Sequence, residues 1–191
     1  AAETNIFSQR SIEELLGIDG KYDTHPVLMS AAELEKLGRF VKELPLLEAR
    51  FKIKILPNDF NVPEEEKEMK HRAAGNFIGS RYILSIAHFA QNPVYNLDTP
   101  FGAIPIPIEI KERKIFVFIS GREFALREIK IDFEQDWALF EIPEELKGKY
   151  LSSKIGESSE LKPGHFLYFI GCPFTDGTLL RSGIVEADSF E

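Results

Sequence analysis

The amino-acid sequence predicts a mainly β protein, a barrel or a sandwich, with a helical segment in front of it. Three observations carry that reading. Apolar residues recur at helical spacing only before Arg50. From Arg50 onward they alternate or form short runs of strand length. Gly, Pro, Asn and Asp then punctuate those runs, as the turns of an antiparallel fold require.

Taken in order, residues 1–49 read as a helical extension. A short helix is expected over 11–16 and a longer one over 31–44. For the longer helix, Ser30 stands at the N-cap and Glu33 at the capping-box position, and Leu34, Leu37, Val41 and Leu44 form one face. Pro45 should stop it, since proline lacks the N–H that a further turn would use. Strands are then expected over 51–56, 75–78, 82–86, 104–110, 115–119, 124–131, 138–142, 166–170 and 179–186. Between the first two, residues 57–72 include the charge run Glu64 to Lys70, and this stretch reads as a solvated loop or helical turn.

With 43% apolar residues and sixteen phenylalanines, the chain can build a substantial core. Its 31 acidic against 23 basic side chains give a net charge of −8, which disfavours nucleic acid or an anionic membrane as a main partner. Cys172 is the only cysteine, so an intrachain disulfide and a cysteine metal cluster are excluded, and Cys172 itself reads as a small buried thiol. No stretch has the run of about 18 apolar residues expected of a membrane helix. No cofactor or metal motif is present.

Two residues invite a chemical reading. His88 follows the apolar strand 82–86 and an alanine, and Asp136 opens the strand that contains Ala138 to Ile142. Each alone has an ordinary structural explanation, a histidine bonded to backbone or an aspartate in a turn. Together with two further segments they are more specific. One is Ile155-Gly156-Glu157-Ser158-Ser159-Glu160-Leu161-Lys162-Pro163-Gly164-His165; the other is Ile170-Gly171-Cys172-Pro173-Phe174 with Ser182-Gly183-Ile184-Val185-Glu186-Ala187.

Over residues 50–188 these segments resemble the trypsin-like serine proteases of the HtrA (Deg) type. Ala87-His88 is similar to the family's Ala-His turn. Asp132 and Asp136 are similar to its Asp-x-x-x-Asp-hydrophobic-Ala-Leu pattern, in which Asp136 matches the triad acid and Asp132 the more variable upstream acid. Cys172 replaces a familiar asparagine, and His165 stands where the family usually has an acid and reads as an exposed turn residue. The resemblance implies a chymotrypsin-like double β-barrel: a complete first barrel over 50–142 carrying His88 and Asp136, then a connector and the opening strands of a second barrel over 143–191.

It also implies that His88 is the general base of a Ser-His-Asp triad and that Asp136 orients it, with the two side chains within hydrogen-bond reach. Trp137 and Ala138 should then enter the core beside them. Substrates would be peptide bonds of unfolded proteins, the location periplasmic or otherwise extracytoplasmic, and residues 1–49 a candidate homo-oligomer contact. The family's nucleophile lies in Gly-x-Ser-Gly-Gly, and none of Ser85, Ser120, Ser158, Ser159, Ser182 and Ser189 has that context, so the serine is expected outside the chain. A cysteine protease pairing Cys172 with His88 fails because Gly-Cys-Pro lacks the glycines of an oxyanion loop. The alternative from another class is a non-catalytic protein-interaction module on the same fold.

Overall fold

A computed structural model describes residues 31–161, 163–171 and 179–185. The expected helix over 11–16, Cys172 and Ser189 lie outside them. The chain divides into two compact units, one formed by residues 45–153 and the other by 1–44 with 154–191.

In the second of these, helix α1 runs Ala31–Lys42 with Arg39 and Lys42 in its last turn, where cations complement the helix dipole. It ends two residues earlier than expected. An Arg39–Glu43 pair at 3.2 Å closes its exposed end. The same unit contains an antiparallel hairpin, described below as β10 and β11.

The larger unit is built from β1 (Leu46–Ile55), β2 (Glu66–Ile78), β3 (Tyr82–Ser85), a 3-10 turn His88–Ala90, β4 (Tyr95–Thr99), β5 (Gly102–Ile106), β6 (Ile108–Ile119), β7 (Arg122–Ala125), β8 (Arg127–Asp132) and β9 (Trp137–Glu141). Seven of these strands form one antiparallel sheet in the order β7-β6-β1-β2-β3-β9-β8, and β4 and β5 pair as a separate hairpin. The two ends of that order, β7 and β8, are consecutive in the chain with only Leu126 between them. The sheet is therefore curled, and one continuous segment supplies both of its end strands. A register shift between Lys52 and Ile53 leaves Lys111 of β6 as an extra residue and bends that strand.

Alternation along β1 sends Leu47, Ala49, Phe51, Ile53 and Ile55 into the core, where Phe77, Ile83, Val117, Ala138 and Phe140 meet them. Close packing is tightest at Gly75. A Cβ there would meet Ile83 Cγ2 at 2.6 Å and Leu47 Cδ1 at 2.7 Å, so only glycine lets β1, β2 and β3 approach this closely.

Several elements differ from expectation: the strand expected over 104–110 is divided between β5 and β6, β6 runs on through 115–119, and the strand expected over 124–131 is broken at Leu126 into β7 and β8. The charge run at 66–70 is not a loop but the first half of β2, paired with β1 through Arg50↔Lys70, Phe51↔Met69 and Lys52↔Glu68. Its glutamates and Lys70 line the solvent face while Met69 and His71 turn inward, His71 against the Phe51 ring at 5.4 Å. β1 begins at Leu46, inside the segment read as helical extension. β4 was not expected.

On the outer face of β1, Glu48 is 1% exposed. Burial pushes its carboxyl up, but hydrogen bonds from Arg50 and Arg72 outweigh that and hold it below the usual range. Arg50 also bonds Glu123 and stacks 4.2 Å from the centroid of Phe116, tying β1 to β6 and β7.

In the smaller unit, β10 (Phe166–Gly171) and β11 (Leu179–Ile184) pair antiparallel. His165 is exposed at the entry to β10, where its carbonyl accepts the Val185 N–H at 2.9 Å.

Candidate active site

β3 delivers its chain to the site by pairing with two strands at once. Ser85 lies between Gly75 on β2 and Ala138 on β9, and its hydroxyl donates to the Ala74 carbonyl at 2.7 Å. The chain then turns through His88–Ala90. Ala87, Phe89 and Ala90 are buried, with Phe89 edge-on to Phe140 at 5.9 Å, and the Ala90 carbonyl accepts from Arg113 at 3.1 Å. The backbone is thus anchored on both sides of a histidine whose side chain remains 62% exposed.

Asp136 arrives from the other direction, at the end of the four-residue turn 133–136 that joins β8 to β9. Its φ of 54° lies in the left-handed region, which side chains other than glycine rarely adopt but aspartate and asparagine tolerate best. The conformation is offset by the bonds its carboxylate collects. Oδ1 accepts the backbone N–H groups of Ala87 and His88, each at 2.9 Å. Oδ2 lies 2.8 Å from Nδ1 of His88, and Oδ1 lies 3.1 Å from it.

These contacts, the imidazole hydrogen bond first and the backbone N–H of His88 next, hold the Asp136 carboxyl below the usual carboxylate range. An ionised carboxylate only accepts hydrogen bonds, so Nδ1 must carry the proton. Nε2 is then the basic nitrogen. Among the described residues it makes no hydrogen bond, and the exposed ring can meet a hydroxyl from solvent or from another segment. Chemically, the pair is an oriented base: it can take a proton at Nε2 while the carboxylate stabilises the imidazolium that results.

The structure therefore brings His88 and Asp136 together across two strands that pair directly. Ala138 is buried, as expected of the residue that follows the pair into the core. Trp137 is only half-buried, because alternation along β9 gives the inward positions to Ala138 and Phe140; Lys130 lies over its ring at 4.8 Å. Asp132 does not touch the imidazole; its Oδ1 accepts the Gln135 N–H at 3.0 Å inside the turn. The two backbone donors at Ala87 and His88 were not foreseen, and nothing in residue identity announces them, since every non-proline residue has an N–H. Asp136 itself was the only available signal, as a residue type able to occupy a left-handed position.

Among the described residues no group of three or more His, Cys, Asp or Glu side chains could hold a metal, and no helix is long and apolar enough to cross a membrane. No protein-family model matches the chain, and no curated protein matches it at a significant level.

Proposed function

We propose that this chain supplies the histidine and aspartate of a trypsin-like serine endopeptidase of the HtrA type. The observation that carries the reading is the His88–Asp136 pair: 2.8 Å between Nδ1 and Oδ2, with the outer edge of an exposed imidazole available to a nucleophile.

In this reading, His88 Nε2 takes the proton of a serine hydroxyl as that oxygen attacks a peptide carbonyl. It then returns the proton to the leaving amine. Asp136 holds the tautomer and stabilises the imidazolium. No Gly-x-Ser-Gly-Gly occurs among these residues, so the reading requires the serine from another segment, whose backbone N–H groups would bind the oxyanion. Counted as one strand bent at Leu126, β7 and β8 give the curled sheet six strands, the number in the first barrel of a chymotrypsin-like double barrel. In chain order the hairpin β10–β11 follows the curled sheet, as the opening strands of a second barrel would. Unfolded proteins as substrates, self-assembly through residues 1–49 and an extracytoplasmic location extend the same reading.

The test is labelling of the intact protein with a fluorophosphonate probe together with cleavage of casein. Wild-type protein should label and cleave, and His88→Ala should lose both while its thermal midpoint stays close to wild type, because an exposed imidazole contributes little buried area. A folded wild type that neither labels nor cleaves at pH 8 overturns the proposal in favour of the non-catalytic interaction module.

A further inference from the structure

We infer that Asp132 is a positioning residue for Asp136, fixing the turn that aims the catalytic carboxylate at His88. The inference rests on the protease reading for its consequence in turnover, but its structural part stands without a nucleophile.

The turn 133–136 has little else to hold it. Phe133, Glu134, Gln135 and Asp136 are all exposed, Phe133 at 52%, so no side chain of the turn is anchored in the core. Its backbone shape must come from hydrogen bonds. Those available are the ladder, whose last pair is Asp132↔Trp137, the three partners of Asp136, and the bond from the Gln135 N–H to Asp132 Oδ1. Only the last acts within the turn itself. It fixes the residue immediately before Asp136, whose φ of 54° completes the turn into β9.

Asp132 is itself held. Its side chain is 21% exposed, and Oδ2 lies 3.6 Å from the ammonium of Lys130, whose charge also rests over Trp137. One oxygen is thus engaged by the cation and the other by the turn. The role needs an acceptor at Oδ1 and no negative charge. This separates it from an electrostatic influence on the imidazole and gives the inference a direct chemical test.

The experiment compares Asp132→Ala, Asp132→Asn and Asp132→Glu in the intact protein by two measurements. In 15N-resolved NMR of the imidazole, the His88 Nδ1 proton should give a slowly exchanging downfield resonance in wild type and in Asp132→Asn, whose amide oxygen still accepts. The resonance should broaden or vanish in Asp132→Ala. If that variant fails to fold, Asp132→Glu, which keeps the charge but displaces the oxygens by a methylene, should show the same loss. In cleavage assays, kcat should fall about tenfold in Asp132→Ala with KM unchanged, the order expected for one lost hydrogen bond, and Asp132→Asn should restore it. A wild-type Nδ1 resonance in folded Asp132→Ala or Asp132→Glu overturns the inference. Loss in Asp132→Asn equal to that in Asp132→Ala also overturns it, by showing that charge is what matters. Because the NMR comparison needs no turnover, absence of protease activity would refute the functional reading and leave this result to stand or fall separately.

Discussion

If the proposed protease reading holds, replacing Asp136 with asparagine should lower kcat by roughly 10^4, more than the loss of one hydrogen bond. Oδ1 accepts two backbone N–H groups at 2.9 Å, so the asparagine must place its carbonyl oxygen there. The opposite flip would point an amide donor at two donors. The NH2 group therefore occupies the position of Oδ2, 2.8 Å from Nδ1. That group donates, so the imidazole must accept at Nδ1 and carry its proton on Nε2, the nitrogen required to be the base. Simple loss of one hydrogen bond would cost only about tenfold, whereas the wrong tautomer removes the base from nearly every molecule. Steady-state cleavage gives the magnitude and the 15N shifts of the His88 ring give the tautomer. A loss of less than about tenfold, or an Nδ1 proton persisting in the variant, would refute the reasoning. Acid titration supplies an independent check. The folded-state pKa of Asp136 is depressed, so its ionisation contributes stability above the unfolded value near 3.9, and that contribution is lost as pH falls through the folded value. The stability gap between wild type and Asp136→Asn should accordingly narrow on acidification.

Two further predictions concern the framework. Arg127, then Arg81, hold the Glu141 carboxyl down to about 2, so its contribution is complete above about pH 4.3 and is lost as pH falls toward 2. Urea melts of Glu141→Gln should show a flatter acid limb over that window, and an unchanged limb would mean that these surface pairs do not report on folding. Gly75→Ala should destabilise by about 1–3 kcal/mol, because the new methyl would lie 2.6 Å from Ile83 and 2.7 Å from Leu47 in a filled core. A urea midpoint at or above wild type would show that both neighbours can move aside.

Much of the strand pattern was legible because burial on one face writes a period of two into the sequence. It failed where neither face is apolar. In β2, Glu66, Glu68 and Lys70 face water and Lys67 and His71 fill inward positions, so the strand reads as a charge run; its partners on β1 make it a strand. β4 was hidden by Pro93 and Pro100 on either side of a five-residue segment. β1 extends back to Leu46, directly after the proline expected to end the helix, because pairing with Ala74 and Phe118 carries the strand to that point. At the site, His88 and Asp136 could be singled out by type and order, and the structure brings them within hydrogen-bond distance. Their geometry could not be read. It depends on a left-handed φ at Asp136 and on two backbone N–H groups, both set by the tertiary path of the chain.

The curled sheet, with its end strands joined through Leu126, also bears on how the protein folds. Its closing contacts are distant in sequence: Arg50 meets Glu123 across 73 positions, Arg81 meets Glu141 across 60, and His88 meets Asp136 across 48. Each requires a long loop to close before any contact rewards it, which places such β topologies among the slower two-state folders. No local hairpin contains both members of the His88–Asp136 pair, because β3 and β9 meet only when the sheet comes round. A nascent chain emerging in order presents His88 well before its carboxylate exists. The oriented base therefore requires β3 and β9 to be paired, so its imidazole resonance would report the formation of that pairing.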